Sequence, residues 1–253
     1  MVNARIIPVL LLSGEGLVKT IKFKNRIYVG DPLNAIKIFN EKEVDELIML
    51  DIEASIQKNL PNISYIKRLA TECFMPVCYG GGISSLVTIK ELFFVGVEKV
   101  SINSASFSNI NLISEAAKIF GVQSIIGAID VNKNLYGKYE VQYCGGKKGR
   151  MNPFQWAKIL EDAGAGEIFL NSVNRDGMMT GFDLDLIKNI TDRVKIPVIA
   201  TGGAGNVVHC KEAIDIGGAS AVGVGSMCVF KDHNRAVLIS YPNQEQLKSF
   251  RNE

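Results

Sequence analysis

The sequence predicts an α/β fold, a (β/α)8 TIM barrel built from two half-barrel repeats, and three observations lead there. The two halves resemble each other at a spacing of 121 residues: Pro76 and Pro197, Gly81-Gly82 and Gly202-Gly203, Gly96 and Gly217, and Glu46 and Glu167 are all separated by it. The likeness extends to whole segments, since "MPVCYGGG" with "VGVEKVSINSA" returns as "IPVIATGG" with "IGGASAVGVGSM". Strand-length apolar runs alternate with amphipathic stretches, a succession that requires crossovers and therefore parallel strands. The length of 253 residues suits a single barrel domain over 1–253, because such barrels take about 250 residues.

The runs expected to be strands are Arg5 to Leu12, Glu46 to Asp51, Val77 to Gly80, Lys99 to Asn103, Ser124 to Asp130, Glu167 to Asn171, Val198 to Thr201 and Ala221 to Gly225. Each is apolar enough to be buried on both faces, as parallel strands are. The expected helices are Pro32 to Lys42, Ile63 to Glu72, Leu86 to Val95, Asn111 to Phe120, Pro153 to Ala163, Asp183 to Arg193 and Val207 to Ile216, where apolar residues recur at helical spacing. Two segments interrupt the beat. Thr20 to Gly30, "TIKFKNRIYVG", alternates basic and apolar residues after the first strand, and Tyr136 to Gly149, "YGKYEVQYCGGKKG", reads as a small hairpin inserted after the fifth. Both fall on strand-to-helix loops, where long functional loops are expected.

Composition excludes several classes. Hydrophobic residues make up 47% and charged residues 21%, an ordinary globular balance. A formal net charge of +2 with interspersed signs gives no support for nucleic-acid binding. Five scattered cysteines without a C-x-x-C pair argue against a disulfide framework or a zinc site. No apolar run approaches the roughly 18 residues of a membrane span, so a cytoplasmic protein that needs no metal or cofactor is expected.

In this fold the C-terminal ends of the strands face the active site. Glycine-rich and small-residue turns there let backbone N–H groups approach an anion. One phosphate cradle would use Gly82, Asn103 and Ser104, and the other Gly177, Gly203, Gly225 and Ser226. Asp130 ends an otherwise apolar strand and is the candidate general acid or base. Lys19 and Asp176 are supporting candidates on the first and sixth strand-to-helix loops, although a loop charge is ordinarily solvated. At the opposite ends, Arg5, Glu46, Lys99 and Glu167 should converge on the barrel axis as two cations and two anions. Such a ring suits either plain stability or a gate.

Taken in order, "RIIPVLLL", "VGDP", "DELIMLDIEAS", "YGGGI", "EKVSINSA", "AIDV", "GAGEIFLNSVNRDG", "GFDLDLI" and "IPVIATGGAGN" resemble the cyclase subunit of imidazole glycerol phosphate synthase over nearly the whole chain. The resemblance implies a partner glutaminase docked at the N-terminal barrel face. It also implies an ammonia gate at Arg5, Glu46, Lys99 and Glu167, and a substrate with a phosphate at each end. The chain departs from that family where it carries catalytic aspartates at the ends of the first and fifth strands. The second is Asp130, but the first position is Leu11, and loss of one positioned acid or base costs about 10²- to 10⁴-fold in rate. Asn171 replaces a usual threonine, Thr20 replaces a glycine, and the ending "HNRAVLISYP" differs from the family's helical tail. With "GLVKT", "NEKEVDELI" and "ECFMPVCYGGG", these features resemble a paralogous branch of surface-polysaccharide (lipopolysaccharide) pathways. There, barrel and glutaminase supply ammonia to a separate sugar amidotransferase that makes acetamidino sugars.

Three other readings stay open at this stage. The chain is a genuine cyclase of histidine biosynthesis in which Asp130 suffices, a noncatalytic scaffold that activates its glutaminase, or a related sugar isomerase barrel. Leu11 weakens the isomerase as it weakens the cyclase.

Overall fold

The structure, a computed structural model, describes residues 4–144, 147–149, 151–231 and 235–251. Its first half runs β1 (Arg5–Ser13), β2 (Gly16–Ile21), β3 (Lys24–Gly30), α1 (Pro32–Glu41), β4 (Leu47–Asp51), α2 (Ala54–Gln57), α3 (Ile63–Glu72), β5 (Val77–Gly80), α4 (Leu86–Phe94), β6 (Lys99–Ile102), α5 (Ser104–Ser108) and α6 (Asn111–Phe120). The second half continues with β7 (Ile125–Lys133), β8 (Tyr139–Tyr143), β9 (Lys147–Lys148), α7 (Pro153–Asp162), β10 (Glu167–Ser172), α8 (Leu184–Thr191), β11 (Val198–Thr201), α9 (Val207–Asp215), β12 (Ala221–Val224), α10 (Ser226–Val229), β13 (Phe230–Lys231), β14 (Ala236–Val237) and α11 (Gln244–Arg251).

Eight strands pair in parallel in the order β1-β4-β5-β6-β7-β10-β11-β12, and β12 returns to β1, with Arg5 opposite Ala221. This closed ring is the expected (β/α)8 barrel. Closure leaves no edge among the eight, so every strand is covered on both sides.

Local chemistry explains where the helices begin. Asp31, Asn62, Ser85, Asn152, Asp183 and Asn206 each accept a hydrogen bond from a first-turn N–H. These are the side chains that best satisfy the orphan donors of a helix start. Pro32 and Pro153 follow two of these caps at positions that need no N–H. At the other end, Gly121 stops α6 with φ of 89°, a conformation that suits glycine.

Two apolar layers result. Phe39, Ile66, Leu69, Leu92, Ile113, Leu160, Ile187 and Ile190 lie fully buried between helices and barrel, each contributing about 1.5–3 kcal/mol by burial. Inside the barrel Ile7, Val9, Ile48, Cys78, Ile126, Ala128, Phe169, Ile199 and Ala221 form a second cluster, against which Leu11 and Leu50 pack. Among the described residues no helix is long and apolar enough to cross a membrane.

The interrupting segments differ from expectation in a common way. Gly16–Ile21 and Lys24–Gly30 are strands, and β2 pairs antiparallel with both β1 and β3. Their two-residue turn, Lys22-Phe23, has φ of 51° and 63°. Hairpin turns of that kind ordinarily carry Asn-Gly, so the sequence gives no turn signal. Tertiary contact replaces it, since the Lys22 N–H donates to the Asp176 carbonyl (3.0 Å) and the Phe23 N–H to its carboxylate (3.4 Å). In the second half β7 itself runs on to Lys133 and pairs with β8, so Tyr136 lies in the turn and not in the first hairpin strand. Gly145 and Gly146 of this segment, and His233 and Asn234 of the atypical ending, lie outside the described residues. The ending continues as a short β13–β14 hairpin, then α11, whose Arg251 grips Asp45 through both carboxylate oxygens at 2.8 and 3.1 Å.

Candidate active site

The C-terminal ends of the barrel strands surround a cavity of about 390 Å³. Asp130 sits in its wall, accepting hydrogen bonds from Asn103 Nδ2 at 2.7 Å and Asn171 Nδ2 at 3.3 Å. Burial pushes its carboxyl up to about 7, against the lowering effect of the Asn171 and Asn103 donors, and the nearby Asp176 raises it further. A carboxyl poised near neutrality can hold or release a proton during a reaction. The amide oxygens of Asn103 and Asn171 are buried without hydrogen-bond partners, so both remain able to accept from a ligand.

The matching pair in the first half is apolar. Leu11 and Leu50 pair across β1 and β4 in the register by which Asp130 and Asn171 pair across β7 and β10. Leu11 also faces Val18 of β2, as Asp130 faces Gln142 of β8. The half-barrel repeat is therefore kept in the backbone and broken in the chemistry.

The residues expected in the two cradles all line this cavity. Their backbones repeat as well: Asn103 at −113°, −86° and Gly225 at −104°, −83° occupy matching positions before α5 and α10. Gly203 has φ of 122°, and a Cβ there would lie 2.2 Å from the Gly181 carbonyl oxygen, so no other residue fits this turn. Gly82 donates its N–H to Ser55 Oγ at 3.3 Å, and Ser104 Oγ accepts from the Cys144 N–H at 3.1 Å. Ser55 and Cys144, which the sequence did not single out, thus close the first cradle from the side. Nothing in the spacing marks either of them.

Lys19 is not solvated. It lies on β2, 4% exposed, with Nζ donating to the Val9 carbonyl at 2.6 Å. The amine stands over Gly225, where a Cβ would meet it at 2.7 Å. Burial lowers its pKa to about 8, with Asp176 and Cys228 opposing the shift. Asp176 is held by the Thr20 hydroxyl at 2.9 Å, and burial raises its carboxyl above the ordinary value.

At the other end of the barrel the four expected charges form a closed ring. Arg5 contacts Glu46 at 2.5 Å and Glu167 at 2.8 Å, and Lys99 contacts each of the same two carboxylates at 3.1 Å. Burial raises Glu46, partly offset by Lys99 and Arg5. For Lys99 and Arg5 burial acts downward, but the facing glutamates outweigh it and both are raised. Between this ring and the cavity lies the apolar cluster inside the barrel, and Ser101, two residues on from Lys99 on β6, is buried and lines the cavity.

The fold and cavity define a two-fold repeated (β/α)8 barrel with a polar cavity at the strand C-termini and a ring of charges at the other end. The chain belongs to the histidine biosynthesis protein family, whose model matches residues 5–234, as a HisF-like cyclase subunit of the imidazole glycerol phosphate synthase kind. It is 52% identical over 248 residues to a Pseudomonas aeruginosa protein provisionally named imidazole glycerol phosphate synthase subunit hisF2, covering 98% of this chain and 99% of the relative. A Vibrio vulnificus protein provisionally named subunit hisF3 is 44% identical over 250 residues, covering 98% and 96%. The imidazole glycerol phosphate synthase subunit HisF of Methanococcus vannielii is 38% identical over 253 residues, covering 92% and 93%.

Proposed function

We propose that this chain is the barrel subunit of a cytoplasmic glutamine-dependent amidotransferase and that its task is ammonia delivery, with the ancestral cyclase chemistry lost. A glutaminase docks at the N-terminal face, ammonia enters through the ring of Arg5, Glu46, Lys99 and Glu167, and the apolar barrel interior carries it to the cavity. An uncharged molecule suits that path, because an ion leaving the ring would pass Ile7, Val9, Ile48, Ile126 and their apolar neighbours, which offer it no opposite charge. The acceptor is then a sugar held by a separate amidotransferase at the C-terminal face, with the cradles keeping a phosphate-bearing ligand.

The observation that carries this reading is Leu11 at the two-fold equivalent of Asp130. A reaction that needs a carboxyl group at both of these matched positions has one here. Glutamine-dependent cyclase turnover by the chain with its cognate glutaminase, beside a Leu11→Asp variant, tests it. Absent wild-type turnover, with activity gained by Leu11→Asp, is the expected result. Robust wild-type turnover would overturn it.

A second reading, a working cyclase of histidine biosynthesis, is favoured by the intact polar half: Asp130 near neutrality, Lys19 buried across the cavity and both cradles in place. It requires turnover that Asp130→Asn abolishes. Activation of the glutaminase without transfer of ammonia to any acceptor would instead indicate a scaffold.

A further inference from the structure

The C-terminal segment brings to the second cradle a cation that no barrel strand provides. α10 starts at Ser226, beside Gly225, and leads straight into the β13–β14 hairpin, which sets Phe230 opposite Val237 and Lys231 opposite Ala236. Arg235 stands just before the returning strand. Its Nη2 donates to the Gly177 carbonyl, and its guanidinium carbon lies 5.5 Å from the centre of the Phe230 ring. The Asp176 carboxyl is close enough to feel its charge. One side chain therefore ties the loop after β10 to the segment that follows β12, two of the three loops that form the cradle.

Arg235 Nη1 is buried and has no hydrogen-bond partner. An unmatched buried donor is costly, more so on a charged group. The guanidinium fork is also the side-chain group whose donor geometry best matches phosphate oxygens. Lys19, the other cation at this cradle, spends a proton on the Val9 carbonyl. The first cradle, by contrast, consists of the neutral groups of Gly82, Asn103 and Ser104.

We propose that Arg235 is a phosphate-binding residue of the second cradle, with Nη2 on the Gly177 carbonyl and Nη1 donating to a phosphate-monoester dianion seated on Gly177, Gly203 and Gly225. The assignment rests on the cradle reading above and goes beyond it. The tail that distinguishes this chain becomes part of the ligand site, and the two cradles are unequal, the second being the tighter.

Titration of the full chain with inorganic phosphate, followed by amide NMR shifts, tests this at each cradle separately. Gly177 and Gly203 report on the second, Gly82 and Ser104 on the first. Arg235→Ala should weaken phosphate at the second cradle about tenfold, the scale of one charge-assisted hydrogen bond, and leave the first unchanged. Arg235→Lys should recover part of the loss. Arg235→Gln, which can still hold the Gly177 carbonyl but has no charge, should resemble Arg235→Ala.

Wild-type affinity in Arg235→Gln would show that the side chain only holds the loop, and the proposal would fail. Equal weakening at both cradles would also overturn it. A wild-type chain whose Gly177 and Gly203 do not respond, while Gly82 and Ser104 do, removes Arg235 alone; silence at all four removes the cradle reading with it.

Discussion

Leu11 and Asp130 occupy the same place in the two halves of the barrel. Each lies on a nine-residue strand that outruns the barrel into an antiparallel hairpin, and each pairs with the matching residue of the next barrel strand, Leu50 for one and Asn171 for the other. At one of the two matched places stands a carboxyl flanked by two amides, and at the other a pair of leucines. Repeating a half-barrel repeats the backbone, but each copy's side chains remain free to diverge.

Asp130 carries a stability signature. Its folded pKa of about 7 lies above that of an unfolded aspartate, about 3.9, so between these values the folded state binds the proton more readily. Stability is thus lost as pH rises from about 4 to 7 and stays low above that. Asp130→Asn, which removes the charge and keeps one of the two acceptor oxygens, should shift Tm upward at pH 8 relative to its effect at pH 4. Equal shifts at both pH values would show that Asp130 is not a carboxyl strained by burial.

Lys19 has the opposite sign. Its folded pKa of about 8 lies below the unfolded value of about 10.4, so the cost of burying the charge is full below 8 and vanishes above 10.4. Lys19→Met should melt higher than wild type at pH 7, with the gap closing by pH 10. Thermal melts across that range decide it.

The ring of four charges should fail when it loses one member. Lys99→Ala leaves Glu46 and Glu167 with Arg5 alone. Breaking a buried pair costs about 3–5 kcal/mol, and because Lys99 keeps 19% of its side-chain exposure, about 2 kcal/mol is the expected loss in chemical denaturation. In the proposed complex with a glutaminase, Lys99→Ala should also lower ammonia delivered per glutamine hydrolysed. An unchanged ratio would leave the ring a structural feature.

Gly177 couples the cradle to the β2–β3 hairpin. With φ of 69°, it would place a Cβ 2.1 Å from the Thr20 carbonyl oxygen. Gly177→Ala should push the hairpin off Asp176 and cost about 1–3 kcal/mol, as strained backbone positions do. Amide exchange should quicken at Lys22 and Phe23, whose N–H groups donate to Asp176.

The barrel, its two-fold repeat, the seven expected helices and the four ring charges were legible in the sequence, because period, caps and glycine turns are local signals carried by the residues themselves; the short α2, α5 and α10 and the terminal α11 were not. Asp130 stood out for the same reason, as a single charge at the end of the apolar run "IIGAI". Local signals did not extend to contacts between distant segments. The Lys22-Phe23 turn carries no turn residue and is held by Asp176, more than 150 residues away in the chain. Lys19 reads as a solvated loop charge until β2 folds it onto the Val9 carbonyl, and Arg235 reads as an ordinary tail residue until the last hairpin carries it to Gly177. Periodicity and capping determine which segments become strands and helices. Burial and charge at a site arise only when chain closure brings separate loops into one cavity, and the tertiary structure alone decided those.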